Sequence, residues 1–193
     1  EDRIVTYIGY DDKKIKEDYL RILRYLRFFL NYSKSPHNLD ILRKVRINIG
    51  GVSKLSKDRL IDELKKITKI ETLQKLSKDK YCIDLVLMIF PELKNIKIFS
   101  KLNLIIKELS KEKDFIFLLS LMIIDETDNA DYFLYKFNIS KKDQKRIKII
   151  DNFYKEKITK KSFTEKKIKS RFINNFFFVE SIFENILTCF NSG

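Results

Sequence analysis

Asp18 and Arg21 stand three residues apart in the stretch Glu17-Asp18-Tyr19-Leu20-Arg21-Ile22-Leu23-Arg24. On a helix that spacing makes them neighbours on consecutive turns. A carboxylate offers only acceptors and a guanidinium only donors, so together they form a composite edge, with acceptors on one half and a rigid fork of donors on the other. Cytosine and adenine each present an exocyclic amino group beside an unprotonated ring nitrogen, which complements that edge. Uracil and guanine place a carbonyl and a protonated ring nitrogen there and would be refused. The same spacing also describes a solvated ion pair worth about 0.3–0.5 kcal/mol. Context has to separate the two readings.

The positioning element is an amphipathic helix expected from about Lys13 to Asn31. Its apolar stripe is Ile15, Tyr19, Ile22, Leu23, Leu26 and Phe29, and Ser35-Pro36 breaks it. Before it, Ile4 to Ile8 reads as a short strand closed by Gly9; alone, such a strand would expose an edge. A short helix is expected over residues 37–48. Gly50-Gly51 marks a turn, and Ser56 is a good N-cap for a helix through Lys69. Residues 71–90 read as one helix ended by Pro91. Further helices are expected near 97–110, 113–124, 129–138, 141–156 and 165–190. Ser140-Lys141-Lys142-Asp143 has the form of a capping box with Asp in place of Glu. Four Gly and two Pro in 193 residues leave few signals for strands and turns, which favours an all-α fold with one short N-terminal strand.

The run from Arg3 to Phe28 (RIVTYIGYDDKKIKEDYLRILRYLRF) resembles the head–neck junction of the class II nucleotidyltransferases, the bacterial CCA-adding enzymes and their poly(A) polymerase relatives. Ile8-Gly9, Glu17-Asp18…Arg21 and Arg27-Phe28 stand where that family has a strand ending in Ile-Gly, an ED-x-x-R helix and an R-F. Leu55 to Leu64 resembles the neck segment S-x-E-R-I-x-x-E-L, with Asp58 in place of glutamate, and Ile89-Phe90-Pro91-Glu92-Leu93 resembles the P-E-L helix exit. The resemblance implies a strand of a catalytic head over residues 1–10, a neck that recognises the base over 11–95, and a helical body that holds tRNA over 96–193. It assigns nucleotide binding to Asp18, Arg21 and Arg24, with Glu17 helping to hold that set. Arg27 and Arg59 are supports, Arg27 in a structural or functional capacity.

The head's own signatures, R-R-x-x-G-G-x-V-R-D, a D-x-D pair and R-R-D-x-T-x-N, are absent from this sequence. The chain is therefore expected to be the neck and body of a longer enzyme, its head truncated or encoded separately. Mg2+ is expected to be bound by that head, with no metal ligand and no catalytic residue here. Asp125-Glu126-Thr127-Asp128 reads as a charged loop after an apolar run.

A net charge of +13 implies a polyanionic partner. It is concentrated: Lys136 to Arg171 holds 14 Lys or Arg against four Asp or Glu. Lys141, Lys142, Lys145, Arg146, Lys160, Lys161, Lys166 and Lys167 are the candidate RNA-binding residues, contacting phosphates without reading sequence. The interleaved Phe137, Phe153, Tyr154, Phe163 and Phe172 read as packing residues. The longest apolar run, Phe115 to Ile124, is too short to span a bilayer, so no membrane partner is expected and the protein is placed in the cytoplasm. Cys82 and Cys189 lie in apolar helical stretches and read as buried free thiols. His37 reads as a cap or loop residue.

Three functions follow. The first is nucleotide selection and tRNA binding in a CCA-adding tRNA nucleotidyltransferase acting on tRNA with CTP and ATP. The second is a poly(A) polymerase of the same family. The third, of a different class, is a basic helical RNA-binding protein without catalysis.

Overall fold

A computed structural model of the chain describes residues 12–101 and 114–159. The described residues are all-α, and no strand occurs among them. The expected strand near residues 4–8 and the helix near 165–190 lie outside the described residues, as do Cys189, Lys160, Lys161, Lys166 and Lys167.

The first long helix differs from expectation. Helix α1 (Asp12–Glu17) stops at Glu17, and α2 (Leu20–Tyr32) starts afresh. The cause is Asp18, whose Oδ1 accepts the Leu20 amide at 3.1 Å. A short carboxylate that caps a following amide competes with helix continuation. Across the junction the backbone tightens to i→i+3 bonds, from the Arg21 amide to the Asp18 carbonyl and from the Ile22 amide to the Tyr19 carbonyl. The apolar stripe survives the break: Ile15, Ile22, Leu23 and Leu26 are buried, and Tyr19 and Phe29 pack partly buried against the core.

Helix α3 (Leu39–Asn48) is capped by Asn38, whose side chain accepts from the Asp40 and Ile41 amides. A 3-10 turn over Ile49–Lys54 contains Gly50-Gly51. Helix α4 (Lys57–Ile67) begins at the expected cap, with the Ser56 side chain accepting the Arg59 amide. The stretch 71–90 is two helices, α5 (Ile70–Leu76) and α6 (Lys80–Ile89). Asp79 separates them by accepting the Cys82 amide at 3.0 Å, which starts a new helix rather than continuing the old one.

A second 3-10 turn, Ile96–Lys101, stands where a helix near 97–110 was expected, and residues 102–113 are outside the described set. Helix α7 (Phe115–Ile123) is buried along Ile116 to Ile123 and forms the centre against which α8 (Asn129–Lys136) and α9 (Lys141–Thr159) pack. Polar side chains join the Pro91-Glu92-Leu93 exit to this centre. The Asn129 amide group donates to the Glu92 and Ile123 carbonyls, and that of Asn95 to the Ile124 carbonyl. One hydrophobic cluster runs from Ile15 to Tyr154. Phe137 and Tyr154 belong to it, so these two tail aromatics are core residues, as read from the sequence.

Candidate functional site

The α1–α2 junction holds Asp18 between two arginines. Its Oδ1, already capping Leu20, accepts a second hydrogen bond from Arg59 Nη2 at 3.1 Å. Its Oδ2 lies 3.7 Å from Arg24 Nη1, beyond hydrogen-bond reach. Oδ2 is thus the oxygen with remaining acceptor capacity. All three side chains are accessible to solvent, Asp18 at 26%, Arg24 at 41% and Arg59 at 48%. Screening keeps the direct energy of the cluster small. Its geometric effect is larger, since a capped carboxylate gripped from α4 has little rotamer freedom left.

Arg21, in the first turn of α2, is half-buried with its Nε shielded from water. Glu17 ends α1, is exposed, and makes no ion pair with Arg21 or Arg24 among the described residues. The structure therefore brings together Asp18, Arg24 and Arg59, while Glu17 stands apart. Asp58 is likewise exposed, in the first turn of α4.

A second cross-helix pair lies one turn and more along. Arg27 Nε donates to Glu63 Oε2 at 3.0 Å, and Lys66 Nζ donates to Glu63 Oε1 at 2.8 Å. The Glu63 side chain is 2% exposed. Burial alone would raise its pKa; the hydrogen bonds from Lys66 and Arg27 outweigh burial and hold it below the ordinary carboxylate value. The Arg27 guanidinium also lies 4.4 Å from the centre of the Phe28 ring. Arg27 thus joins α2 to α4. The segments around Asp18 to Phe28 and Ser56 to Leu64 are locked face to face by two pairs, Asp18–Arg59 and Arg27–Glu63. Tyr19 completes the junction: its ring occupies the space beside Gly51, where a Cβ would overlap it.

The basic tail is only partly free for a partner. Arg146 is bound to Asp114 at 2.6 Å, Lys148 to Asp131 at 3.4 Å, Lys155 to Asp151 at 2.9 Å and Lys136 to buried Glu92 at 2.6 Å. Lys141, Lys142 and Lys145 are exposed on α9 and form no ion pair among the described residues. The loop Asp125 to Asp128 does not suit Mg2+. Asp125 Oδ1 is occupied by the Thr127 amide and hydroxyl, and Oδ2 by Lys94 at 3.0 Å.

Sequence reasoning missed one cluster. His37 is not the cap of α3; it is folded inward, its side chain 5% exposed, because Asn38 takes the capping role. Its Nδ1 meets the Tyr25 hydroxyl at 2.8 Å, and its Nε2 faces Asp79 Oδ2 at 3.1 Å and Cys82 Sγ at 3.5 Å. Burial lowers its pKa, opposed by the nearby Asp79. Burial pushes the Cys82 thiol up, and Asp79 adds to that. Asp79 and Cys82 are 42 and 45 residues from His37 along the chain, and Tyr25 is 12 away, so no local spacing marked them. The Asp79-x-x-Cys82 step was the one visible signal.

Comparison with known proteins finds relatives over part of the chain. Over 69 residues, 35% of this chain, it is 39% identical to the CCA tRNA nucleotidyltransferase 1, mitochondrial, of Danio rerio. Over 65 residues it is 40% identical to the protein of the same name from Homo sapiens. A third of the chain is thus similar to CCA tRNA nucleotidyltransferases. The matched stretch spans only 16% and 15% of those relatives' own lengths. No family model matches the chain.

Proposed function

We propose that this chain supplies nucleotide selection and tRNA binding to a CCA-adding tRNA nucleotidyltransferase. The observation that carries the reading is Asp18: capped onto Leu20, gripped by Arg59, and left with Oδ2 as an open acceptor beside Arg24 and the start of α2. The similarity to CCA tRNA nucleotidyltransferases supports it.

In this reading Oδ2 accepts from the exocyclic amine of cytosine or adenine, and Arg21 donates to the adjacent ring nitrogen. A uracil or guanine carbonyl would face the carboxylate across two acceptors, an unpaired contact costing on the order of 1–3 kcal/mol. Arg24 and Arg59 act on the base only through Asp18, by fixing its rotamer. Selection without a template needs that rigidity, because one carboxylate swinging freely would accept any donor. Phosphoryl transfer with Mg2+ is assigned to a catalytic head whose signatures this sequence lacks; the Asp125 carboxylate is committed to Lys94 and Thr127. The exposed Lys141, Lys142 and Lys145 hold tRNA phosphates.

The test uses the full-length protein with tRNA lacking its 3′ end. Asp18→Ala and Arg21→Ala are expected to relax or abolish the preference for CTP and ATP over UTP and GTP while tRNA affinity stays within about twofold, as base contacts and phosphate contacts are separate. Faithful CCA addition by both variants would overturn the reading. Supplying CTP alone separates it from a poly(A) polymerase, which would incorporate no cytidine.

A further inference from the structure

We propose that His37, Asp79 and Cys82 form a binding site for a zinc-class divalent cation that staples the α2–α3 loop to the start of α6. His37 Nε2, an Asp79 carboxylate oxygen and Cys82 Sγ all lie within 4.8 Å of one another. Imidazole nitrogen, carboxylate oxygen and thiolate sulfur make a mixed donor set of the kind Zn2+ accepts. Around a tetrahedral zinc, the edges between such donors are about 3.4–3.6 Å for the usual bond lengths. The structure has 3.1 Å from nitrogen to oxygen and 3.5 Å from nitrogen to sulfur. These two edges need a shift of a few tenths of an ångström at most, and the oxygen-to-sulfur edge lies within 4.8 Å.

The supports are in place as well. Asp79 and Cys82 are three residues apart at the beginning of a helix, the same step that two ligands take in a C-x-x-C pair. Asp79 uses Oδ1 to cap Cys82, which leaves Oδ2 for the ion. Without an ion, burial and the Asp79 charge hold the Cys82 sulfur as thiol, so the ion itself must displace the proton, with the helix start offsetting part of that cost. His37 is fixed in orientation by Tyr25 on Nδ1 and by a stack on Phe29, ring centres 3.6 Å apart. A metal-bound imidazole requires its other nitrogen to donate a hydrogen bond, and the Tyr25 oxygen is there to accept it. On binding, sulfur–metal coordination replaces the S–H bond and the proton leaves to solvent. Asp79 is 28% exposed, so the fourth position opens on its side to water.

The cluster is remote from Asp18 in sequence, and its chemistry does not depend on the proposed function. It acts on the same helix: Tyr25 and Phe29 are on α2, one and five residues beyond Arg24, which faces Asp18.

The experiment titrates the full chain, reduced and stripped of metal, with Co2+ as a probe. One equivalent is expected to bind with a near-ultraviolet thiolate-to-cobalt band and tetrahedral visible bands, all removed by Zn2+. Cys82→Ser abolishes the thiolate band, Cys189→Ser keeps it, and Asp79→Asn or His37→Gln weakens binding by about tenfold or more. No thiolate band in excess Co2+, or a band that persists in Cys82→Ser, overturns the site. A second measurement needs no variant. Zn2+ should slow alkylation of Cys82, mapped by mass spectrometry, and an unchanged rate equally overturns the proposal.

Discussion

Glu63 is the residue on which the α2–α4 contact is most exposed to test. A carboxylate buried to this extent is tolerated only with its charge answered, and it has two cationic donors, Arg27 and Lys66. Arg27→Met removes one donor and leaves the other, so the expected loss is about 2–3 kcal/mol in urea unfolding, below the full cost of a stranded buried charge. The pH dependence follows from the depressed pKa. A carboxyl whose folded pKa lies below its unfolded value contributes stability above the unfolded value, near 4.5, and loses it as pH falls through the folded one. Unfolding midpoints measured from pH 6 down to pH 3 should therefore fall more steeply for the wild type than for Glu63→Gln. Equal slopes would mean that Glu63 is not held ionised by its partners. Arg59→Ala makes the complementary case at Asp18. That pair is half exposed, so stability should change by less than about 1 kcal/mol, while discrimination between bases in the full enzyme should weaken because the carboxylate regains its rotamers.

At the scale of elements, the junction between α1 and α2 depends on a residue far from either. Gly51 lies beside the Tyr19 ring with no room for a Cβ. Gly51→Ala should cost about 1–3 kcal/mol through overpacking and should displace Tyr19, one bond from Asp18. Tryptic cleavage after Arg21 or Arg24 ought to accelerate in the variant; an unaltered rate and midpoint would show that the ring moves aside freely. Several elements were legible from sequence because their signals are local. Ser56 caps α4 as read, and Ser140 and Asp143 bond reciprocally at the head of α9, the hydroxyl donating to the carboxylate and the Asp143 amide to the hydroxyl. The two helix breaks were not legible by period, since apolar residues keep their 3.6 spacing across both Asp18 and Asp79. A side chain that captures a nearby amide decides there, and the apolar stripe passes through unchanged. The His37 cluster was invisible for another reason: packing of α6 on the α2–α3 loop creates it, and a lone histidine carries no record of its distant neighbours.

For the whole molecule the question is how much of the positive charge is available to a polyanion. Sequence places ten net charges between Lys136 and Arg171, yet Lys136, Arg146, Lys148 and Lys155 are each engaged by a carboxylate. Three of these pairs tie distant segments of the body together and Lys155–Asp151 lies within α9, so the count overstates the binding surface. Lys141, Lys142 and Lys145 differ. They crowd the first turn and a half of α9, where the helix dipole disfavours cations, and only Asp143 in that turn opposes them. A placement that weakens the helix is better explained by a ligand than by folding. Each phosphate contact contributes roughly 0.7–0.9 to the slope of log affinity against log salt. The triple variant Lys141→Ala, Lys142→Ala, Lys145→Ala should thus flatten the tRNA-binding slope by about 2–3 while the thermal midpoint holds or rises. Arg146→Ala should do the reverse, lowering the midpoint through its lost bond to Asp114 and leaving the slope nearly unchanged. Filter binding between 50 and 300 mM salt measures both. If the triple variant kept the wild-type slope, the phosphate-binding surface would not be α9, and the excess charge at its start would need another anion to explain it.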